Sequence, residues 1–112
     1  MNAASSAPAA QQFIDKTACR GIGVDDVARH LGVSRRLLYL RFREIAGTTP
    51  FDAIRSRRLD AVRRRLVTTR ETIAEIAAAC GFENETHLMH LFKRTYGVTL
   101  RAYRLAHSHA AS

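Results

Sequence analysis

Apolar residues recur along most of the chain every three or four positions, which is the period of an α-helix. No stretch alternates between apolar and polar residues for long enough to predict a β-strand. Glycines and turn residues interrupt the helical pattern and divide it into about seven segments. The pattern therefore predicts an all-α protein of about seven helices.

The two ends of the chain differ in composition from its middle. Residues 1–10 are mainly alanine and serine, and they are expected to form a flexible leader. A domain is expected over residues 11–107, beginning with a helix over about 11–20 and closing with a helix that starts at Thr99. Residues 108–112 are expected to form a small polar tail.

The domain contains an internal repeat with a spacing of about fifty residues. Residues 24–47 and 72–97 each carry a short helix, a turn with glycine (Gly32 or Gly81) and a longer capped helix. The side chains expected to face inward from the longer helices are Leu38, Phe42, Ile45, Leu88 and Phe92. This arrangement is typical of a helix-turn-helix, in which the turn glycine takes a positive φ angle.

A long helix is expected over residues 49–66, between the two copies. Thr49 is its predicted N-cap, and Pro50 takes the first helical position. Its predicted apolar stripe consists of Phe51, Ile54, Leu59, Val62 and Leu66. Two helix-turn-helix subdomains joined by a rigid, arginine-rich helix favour DNA binding, because two recognition helices can then enter successive major grooves roughly 34 Å apart.

The charge of the chain agrees with a nucleic-acid partner, although ribosomal and membrane-surface proteins are also basic. The 112 residues carry a net charge of +8, and the pI is about 10.7. Neither a membrane helix nor a signal peptide is expected, because no segment has the required length of apolar residues. Cys19 and Cys80 are expected to be buried thiols of a cytoplasmic protein.

The second copy and its continuation carry a specific motif. It reads Gly81-Phe82-x-x-x-Thr86-x-Leu88-x-x-x-Phe92-Lys93-x-x-x-Gly97-Val98-Thr99-x-x-x-Tyr103-Arg104. The first copy contains Gly32-Val33-Ser34-Arg35-Arg36 and Phe42-Arg43. Together these runs resemble the AraC/XylS-type bacterial transcription regulators. The run from Thr17 to Val24-Asp25 is similar to the xylose-operon regulators in particular.

This resemblance covers residues 13–104 and implies a seven-helix DNA-binding domain of the kind that is usually attached to a sensor domain. The sequence departs from the family pattern at two positions. Arg65 stands where the family usually has leucine, and Leu100 stands where it usually has proline. These departures concern the packing of the connecting and last helices.

The outward face of the first recognition helix is predicted to contact DNA. Arg36, Tyr39 and Leu40 are the candidate base-reading residues, since arginine suits guanine and an exposed leucine suits thymine methyl groups. Arg35 and Arg43 are the candidate phosphate contacts. The alternative is a solvated, charged face with one stray leucine.

The equivalent face of the second recognition helix holds the other candidates. Glu85, Thr86, Met89 and His90 are predicted to read bases, and Lys93 is predicted to contact phosphate. The first copy has five arginines and three carboxylates, whereas the second has two cations and three carboxylates. The first copy is therefore expected to supply most of the affinity.

On the connecting helix, Arg57 and Arg64 lie outside the apolar stripe. They are candidate phosphate clamps, with a solvated surface as the equal alternative. His87 and His90 have the spacing of a metal pair, but no cysteine or carboxylate completes a site, so no metal is expected. No cluster of nucleophile, base and orienting residue predicts a catalytic site.

The leading hypothesis is a sequence-specific regulator of transcription in bacteria that binds double-stranded operator or promoter DNA and is nucleoid-associated in the cytoplasm. RNA polymerase is a candidate partner. No cofactor, membrane or small-molecule site within this chain is expected. One alternative is a sensor-less fragment of a larger, xylose-type sugar-responsive regulator. Another is a helical module that binds proteins.

Overall fold

The computed structural model describes residues 3–107, and the surroundings of side chains from Pro8 onward. Within that range the chain forms seven α-helices and one short 3-10 helix, with no strand. The helices are α1 (Ala3–Thr17), α2 (Val24–Leu31), α3 (Arg35–Ala46), α4 (Pro50–Thr68), α5 (Ile73–Ala79), α6 (Glu85–Tyr96) and α7 (Leu100–His107), and the 3-10 helix is Ala18–Arg20. The prediction of an all-α fold with about seven helices is confirmed.

Helix α1 begins much earlier than the sequence pattern predicts. Residues 3–10, expected as a flexible leader, lie within α1 instead of before it. The segment is rich in alanine, the residue with the highest helix propensity, and Ala10 is fully buried beside the core residue Ile14. Residues 1–2 and the predicted tail over 108–112 lie outside the described residues.

The chain divides into two compact units, with the division inside α4 between Arg57 and Arg58. The first helix-turn-helix, α2 and α3, lies in the first unit, and the second, α5 and α6, lies in the second. The predicted connecting helix over 49–66 is observed as α4, which ends two residues later at Thr68. No helix in the described part of the chain is long and apolar enough to cross a membrane.

The two turns have the same hydrogen-bonded geometry. Gly32 and Gly81 have φ angles of 69° and 88°, which only glycine adopts readily. The Val33 amide donates to the Ala28 carbonyl at 3.1 Å, and the Phe82 amide donates to the Ala77 carbonyl at 3.0 Å. The internal repeat of the sequence is therefore a repeat in the structure.

The first unit is built around α1, α2 and α3, which pack against one another. Leu38 and Phe42 are buried as predicted, but Ile45 is 51% exposed and Phe51 is 55% exposed. Ile45 lies in the last turn of α3, and Phe51 lies in the first turn of α4 beneath the Arg55 guanidinium, 5.6 Å away. The helical period predicts which face of a helix a side chain is on. It does not predict whether other helices cover that face along its whole length.

The core of the second unit contains the predicted Leu88 and Phe92, both fully buried. The Phe92 ring lies 4.7 Å from the Tyr96 ring and 5.6 Å from the Tyr103 ring, measured between centroids. Leu100, one of the two departures from the family pattern, is only 4% exposed at the start of α7. A leucine therefore fills this position within the core.

The turn between α4 and α5 is held by an arginine from α7. Arg104 donates hydrogen bonds to the carbonyls of Leu66 at 3.1 Å, Glu71 at 2.7 Å and Thr69 at 3.3 Å. The other departure from the family pattern, Arg65, donates to both carboxylate oxygens of Glu71 at 2.9 Å. The bonds from Arg104 satisfy the Leu66 carbonyl, which the end of α4 leaves without a helical partner, and two carbonyls of the turn that follows.

Replacing Arg104 with alanine is expected to lower the free energy of unfolding by about 1–3 kcal/mol, because three charge-assisted bonds to partly buried carbonyls are lost. Urea denaturation measures this loss. The control is Arg101→Ala, an exposed arginine on the same helix, which should change stability by less than about 0.5 kcal/mol. Equal stability of the two variants would show that the carbonyl contacts contribute nothing.

Candidate nucleic-acid interface

Helix α3 is fixed in position by its cap and by its buried face. The Ser34 hydroxyl accepts a hydrogen bond from the Leu37 amide at 3.1 Å, and Gly47 ends the helix with a φ of 71°. Because Leu38 and Phe42 point into the core, the opposite face of α3 is turned to solvent.

The solvent face of α3 combines two cations with an exposed leucine. Arg36, Leu40 and Arg43 are all exposed, and Leu40 is 51% exposed. Neither Arg36 nor Arg43 forms an ion pair with any residue that the structure describes. Tyr39 is instead partly buried against the core of the first unit, so only part of its side chain is available to a partner.

Arg35, a predicted phosphate contact, is held by two neighbours. Its guanidinium lies 3.5 Å from the Asp25 carboxylate and 5.8 Å from the centre of the Tyr39 ring. Both members of the ion pair are well exposed, so the pair contributes only about 0–1 kcal/mol. An incoming phosphate can replace Asp25 at little energetic cost.

Helix α6 presents the second candidate surface. The Asn84 side chain caps it by accepting from the His87 amide at 2.8 Å, and Leu88, Leu91 and Phe92 are buried. The predicted contact residues are all exposed, and Met89 is 48% exposed. They are Glu85, Thr86, Met89, His90 and Lys93.

The capping box of α5 positions the start of the second helix-turn-helix. Glu75 accepts a hydrogen bond from the Thr72 amide at 3.1 Å, and the Glu75 amide donates to the Thr72 hydroxyl at 3.1 Å. Hydrogen bonding from the Thr72 backbone lowers the pKa of Glu75. In the first unit the Gly23 amide donates to the Asp26 carboxylate at 2.8 Å, so the repeat extends to the helix caps.

Local carboxylates neutralise much of the positive charge of α4. Arg57 Nε lies 3.8 Å from the Asp15 carboxylate of α1, whereas Arg64 is exposed and pairs with no carboxylate in the described range. Further ion pairs of α4 include Arg55–Asp52, Arg63–Asp60 and Arg65–Glu71. Arg64 is therefore the α4 candidate whose charge is most available to a ligand.

Arg63 of α4 forms a cation–π contact with Tyr96 of α6 in addition to its ion pair. The Arg63 guanidinium lies 5.0 Å from the centre of the Tyr96 ring and 2.7 Å from Asp60. The hydrogen bond to Asp60 raises the pKa of Arg63, and burial raises the pKa of Tyr96. This cation therefore helps to pack the second unit and differs from the exposed arginines of α3.

Comparison with known proteins decides what kind of helix-turn-helix this is. A family model described as a helix-turn-helix domain matches residues 27–106. A crystal structure of an AraC-type transcriptional regulator from Chromobacterium violaceum superposes with a TM-score of 0.85 at 28% identity, covering 94% of both chains. The chain belongs to the AraC-type helix-turn-helix family.

Two other similar proteins add detail. The xylose operon regulatory protein of Escherichia coli K12 is 36% identical over 95 residues, which are 85% of this chain and 24% of that protein. The DNA-binding domain of AdpA, solved with a target DNA, has a TM-score of 0.78 at 27% identity, covering 88% of this chain and 91% of that one. The chain spans 24–28% of the length of most of the curated relatives it matches, and 57% of one of them.

The structure also exposes two cations that sequence reasoning did not assign as contacts in this AraC-type chain. Arg94 and Arg101 are exposed beside Lys93 on one groove of the second unit. Arg94 directly follows a predicted contact, and Arg101 lies in the first turn of α7, outside the second helix-turn-helix over 72–97. In the sequence, Lys93, Arg94 and Arg101 flank the turn at Gly97, and this cluster of three cations could have indicated further contacts.

Proposed function

We propose that this protein is a sequence-specific regulator of transcription that binds double-stranded operator or promoter DNA. The observation that carries the proposal is the pair of equivalent helix-turn-helix units, each with an exposed, capped second helix. The likeness to an AraC-type domain solved on its target DNA supports the same conclusion. RNA polymerase is the proposed partner in the nucleoid.

On the first recognition helix, Arg36 is the proposed reader of guanine, because its guanidinium is exposed near the start of α3 and has no carboxylate partner among the described residues. Leu40 provides apolar contact for a thymine methyl group, and the exposed part of Tyr39 borders it. Arg43 lies one turn after Leu40 on α3 and contacts phosphate. Arg35 also contacts phosphate, which replaces the Asp25 carboxylate as its partner.

On the second recognition helix, Glu85 is the proposed acceptor for the cytosine amino group, and His90 donates to guanine. Thr86 and Met89 complete the reading face, with Met89 suited to a thymine methyl group. Lys93 contacts phosphate, as does Arg64 of α4. Arg57 also contacts phosphate, which then replaces the Asp15 carboxylate as its partner.

Selection of bound sequences from random duplexes, followed by footprinting, tests this function. Two protected segments one helical turn apart are expected, together with a steep loss of affinity as salt is added, because phosphate contacts release counterions. A module that binds only proteins would select no sequence. That outcome would overturn DNA binding and leave the helical protein-interaction module as the alternative.

A second candidate is the DNA-binding part of a larger sugar-responsive regulator. The similarity to the xylose operon regulatory protein, of which this chain covers 24%, favours it. The selected sequence distinguishes the two candidates. A sugar-responsive regulator is expected to select a site that occurs upstream of genes for sugar metabolism in the genome of its source.

Arg36→Ala and Arg64→Ala are expected to weaken DNA binding in different ways. The loss of Arg36 should cost about 1–3 kcal/mol on the selected site and relax the preference for its base, whereas the loss of Arg64 should weaken all duplexes alike. Titrating each variant against the selected duplex and a random duplex measures the difference. Equal losses on both duplexes for Arg36→Ala would show that it contacts phosphate and not a base.

A further inference from the structure

Helices α5, α6 and α7 of the second unit enclose a groove of about 460 Å³. Its apolar lining includes Ile73 of α5, Met89 of α6 and Leu100 of α7. The volume lies within the roughly 300–1,000 Å³ typical of sites that bind small organic molecules. The sequence predicts no small-molecule site, and the groove exists only because three separate helices meet.

Cations dominate the charge around this apolar lining. Lys93 and Arg94 in the last turn of α6 and Arg101 in the first turn of α7 all line the groove. None of the three forms an ion pair with a carboxylate in the described range, and Glu85 is the single acidic residue of the lining. The groove therefore combines an apolar surface with an excess of two positive charges.

We propose that this groove binds an organic carboxylate with an apolar body, such as a medium-chain aliphatic acid. Burial of the hydrocarbon against Met89, Ile73 and Leu100 supplies a driving force that inorganic phosphate lacks. The carboxylate interacts with Arg101 and its two neighbouring cations, and arginine matches its planar geometry. The volume, the apolar lining and the positive charge of the groove thus all suit an apolar organic carboxylate.

Ligand and DNA compete for this surface, a consequence that rests on the proposed function. Four of the predicted DNA contacts on α6 also line the groove: Glu85, Met89, His90 and Lys93. An occupant held against these side chains excludes a base pair from the same place. By thermodynamic linkage, bound DNA lowers the affinity for the carboxylate by the same factor.

Direct binding is measured first on the full chain without DNA. Octanoate, below its micellar concentration, is titrated into isotopically labelled protein while amide chemical shifts are recorded. 1-Octanol and inorganic phosphate are titrated in parallel. Saturable shifts centred on α5, α6 and α7, with weaker binding of both comparison compounds, are expected. No saturable shifts, equal binding of octanol, or shifts centred elsewhere would overturn the proposal.

Two variants separate the charged from the apolar contribution. Arg101→Gln is expected to weaken octanoate binding about two- to fivefold while octanol binding is unchanged, because one exposed charge interaction is lost. Met89→Ser is expected to weaken the binding of both compounds. Arg20→Gln, which removes an exposed arginine outside the groove, is the matched control and should leave octanoate binding unchanged. Equal octanoate binding by Arg101→Gln and Arg20→Gln would overturn the assignment of the carboxylate site.

The DNA experiment is kept separate from these titrations. Octanoate is expected to reduce protection of the second half-site more than that of the first, at concentrations matching its measured affinity. Protection that stays unchanged at saturating octanoate would overturn the competition. Failure of the protein to bind DNA without octanoate would count against the proposed function alone, since the chemical-shift titration does not depend on it.

Discussion

Replacing Arg36 and Arg43 together by alanine is expected to reduce the affinity for the selected operator roughly 10²- to 10³-fold at physiological salt. Both side chains lie on the solvent face of α3, and neither is neutralised by a carboxylate in the described range. The change removes the proposed base contact of Arg36 and the proposed phosphate contact of Arg43 from α3. Footprinting and titration on one operator measure the loss.

The matched variant, His90→Ala with Lys93→Ala, removes a proposed base reader and a proposed phosphate contact from α6. It should leave clear protection over the first half-site and blur the second, because the net charge of the first helix-turn-helix is positive and that of the second is negative. The exposed Arg101 of α7 lies outside residues 72–97 and adds a positive charge to the second unit. If this variant lost both half-sites equally, both helices would be needed for docking and the charge difference would not rank them.

Truncation of Phe42 or Phe92 to alanine is expected to lower the free energy of unfolding by about 3–5 kcal/mol, a large part of the 5–15 kcal/mol typical of a domain. Each ring is fully buried, and each anchors the longer helix of one helix-turn-helix. Phe92 also loses its contacts with the Tyr96 and Tyr103 rings. Urea denaturation measures both losses.

The control for the phenylalanine variants is Leu40→Ala, an exposed apolar position on α3. It is expected to change stability by no more than about 0.5 kcal/mol. Hydrogen exchange locates each effect, since Phe42→Ala should open amides of the first unit and Phe92→Ala amides of the second. A parental melting temperature for either phenylalanine variant would contradict the assignment of that ring as a core anchor.

Much of the candidate interface was predictable because it follows from local pattern. The inward positions Leu38 and Phe42 imply an outward face through Arg36 and Leu40, and the structure exposes both. The same reasoning failed for Ile45, which lies in the last turn of α3 and is 51% exposed. It also failed for residues 3–10. Their composition is typical of a flexible leader, but the segment is helical and Ala10 is buried in the core.

The sequence by itself determined six of the seven helices, the two glycine turns and the burial of Phe42 and Phe92, since each depends on residues within a few positions of one another. Only the tertiary structure decided which arginine charges are already paired within the protein. Arg35 of α3 pairs with Asp25 of α2, Arg57 of α4 pairs with Asp15 of α1, and Arg104 of α7 binds carbonyls in and just after the last turn of α4. A charge is neutralised by its neighbours in space, and those neighbours are determined by how the helices pack.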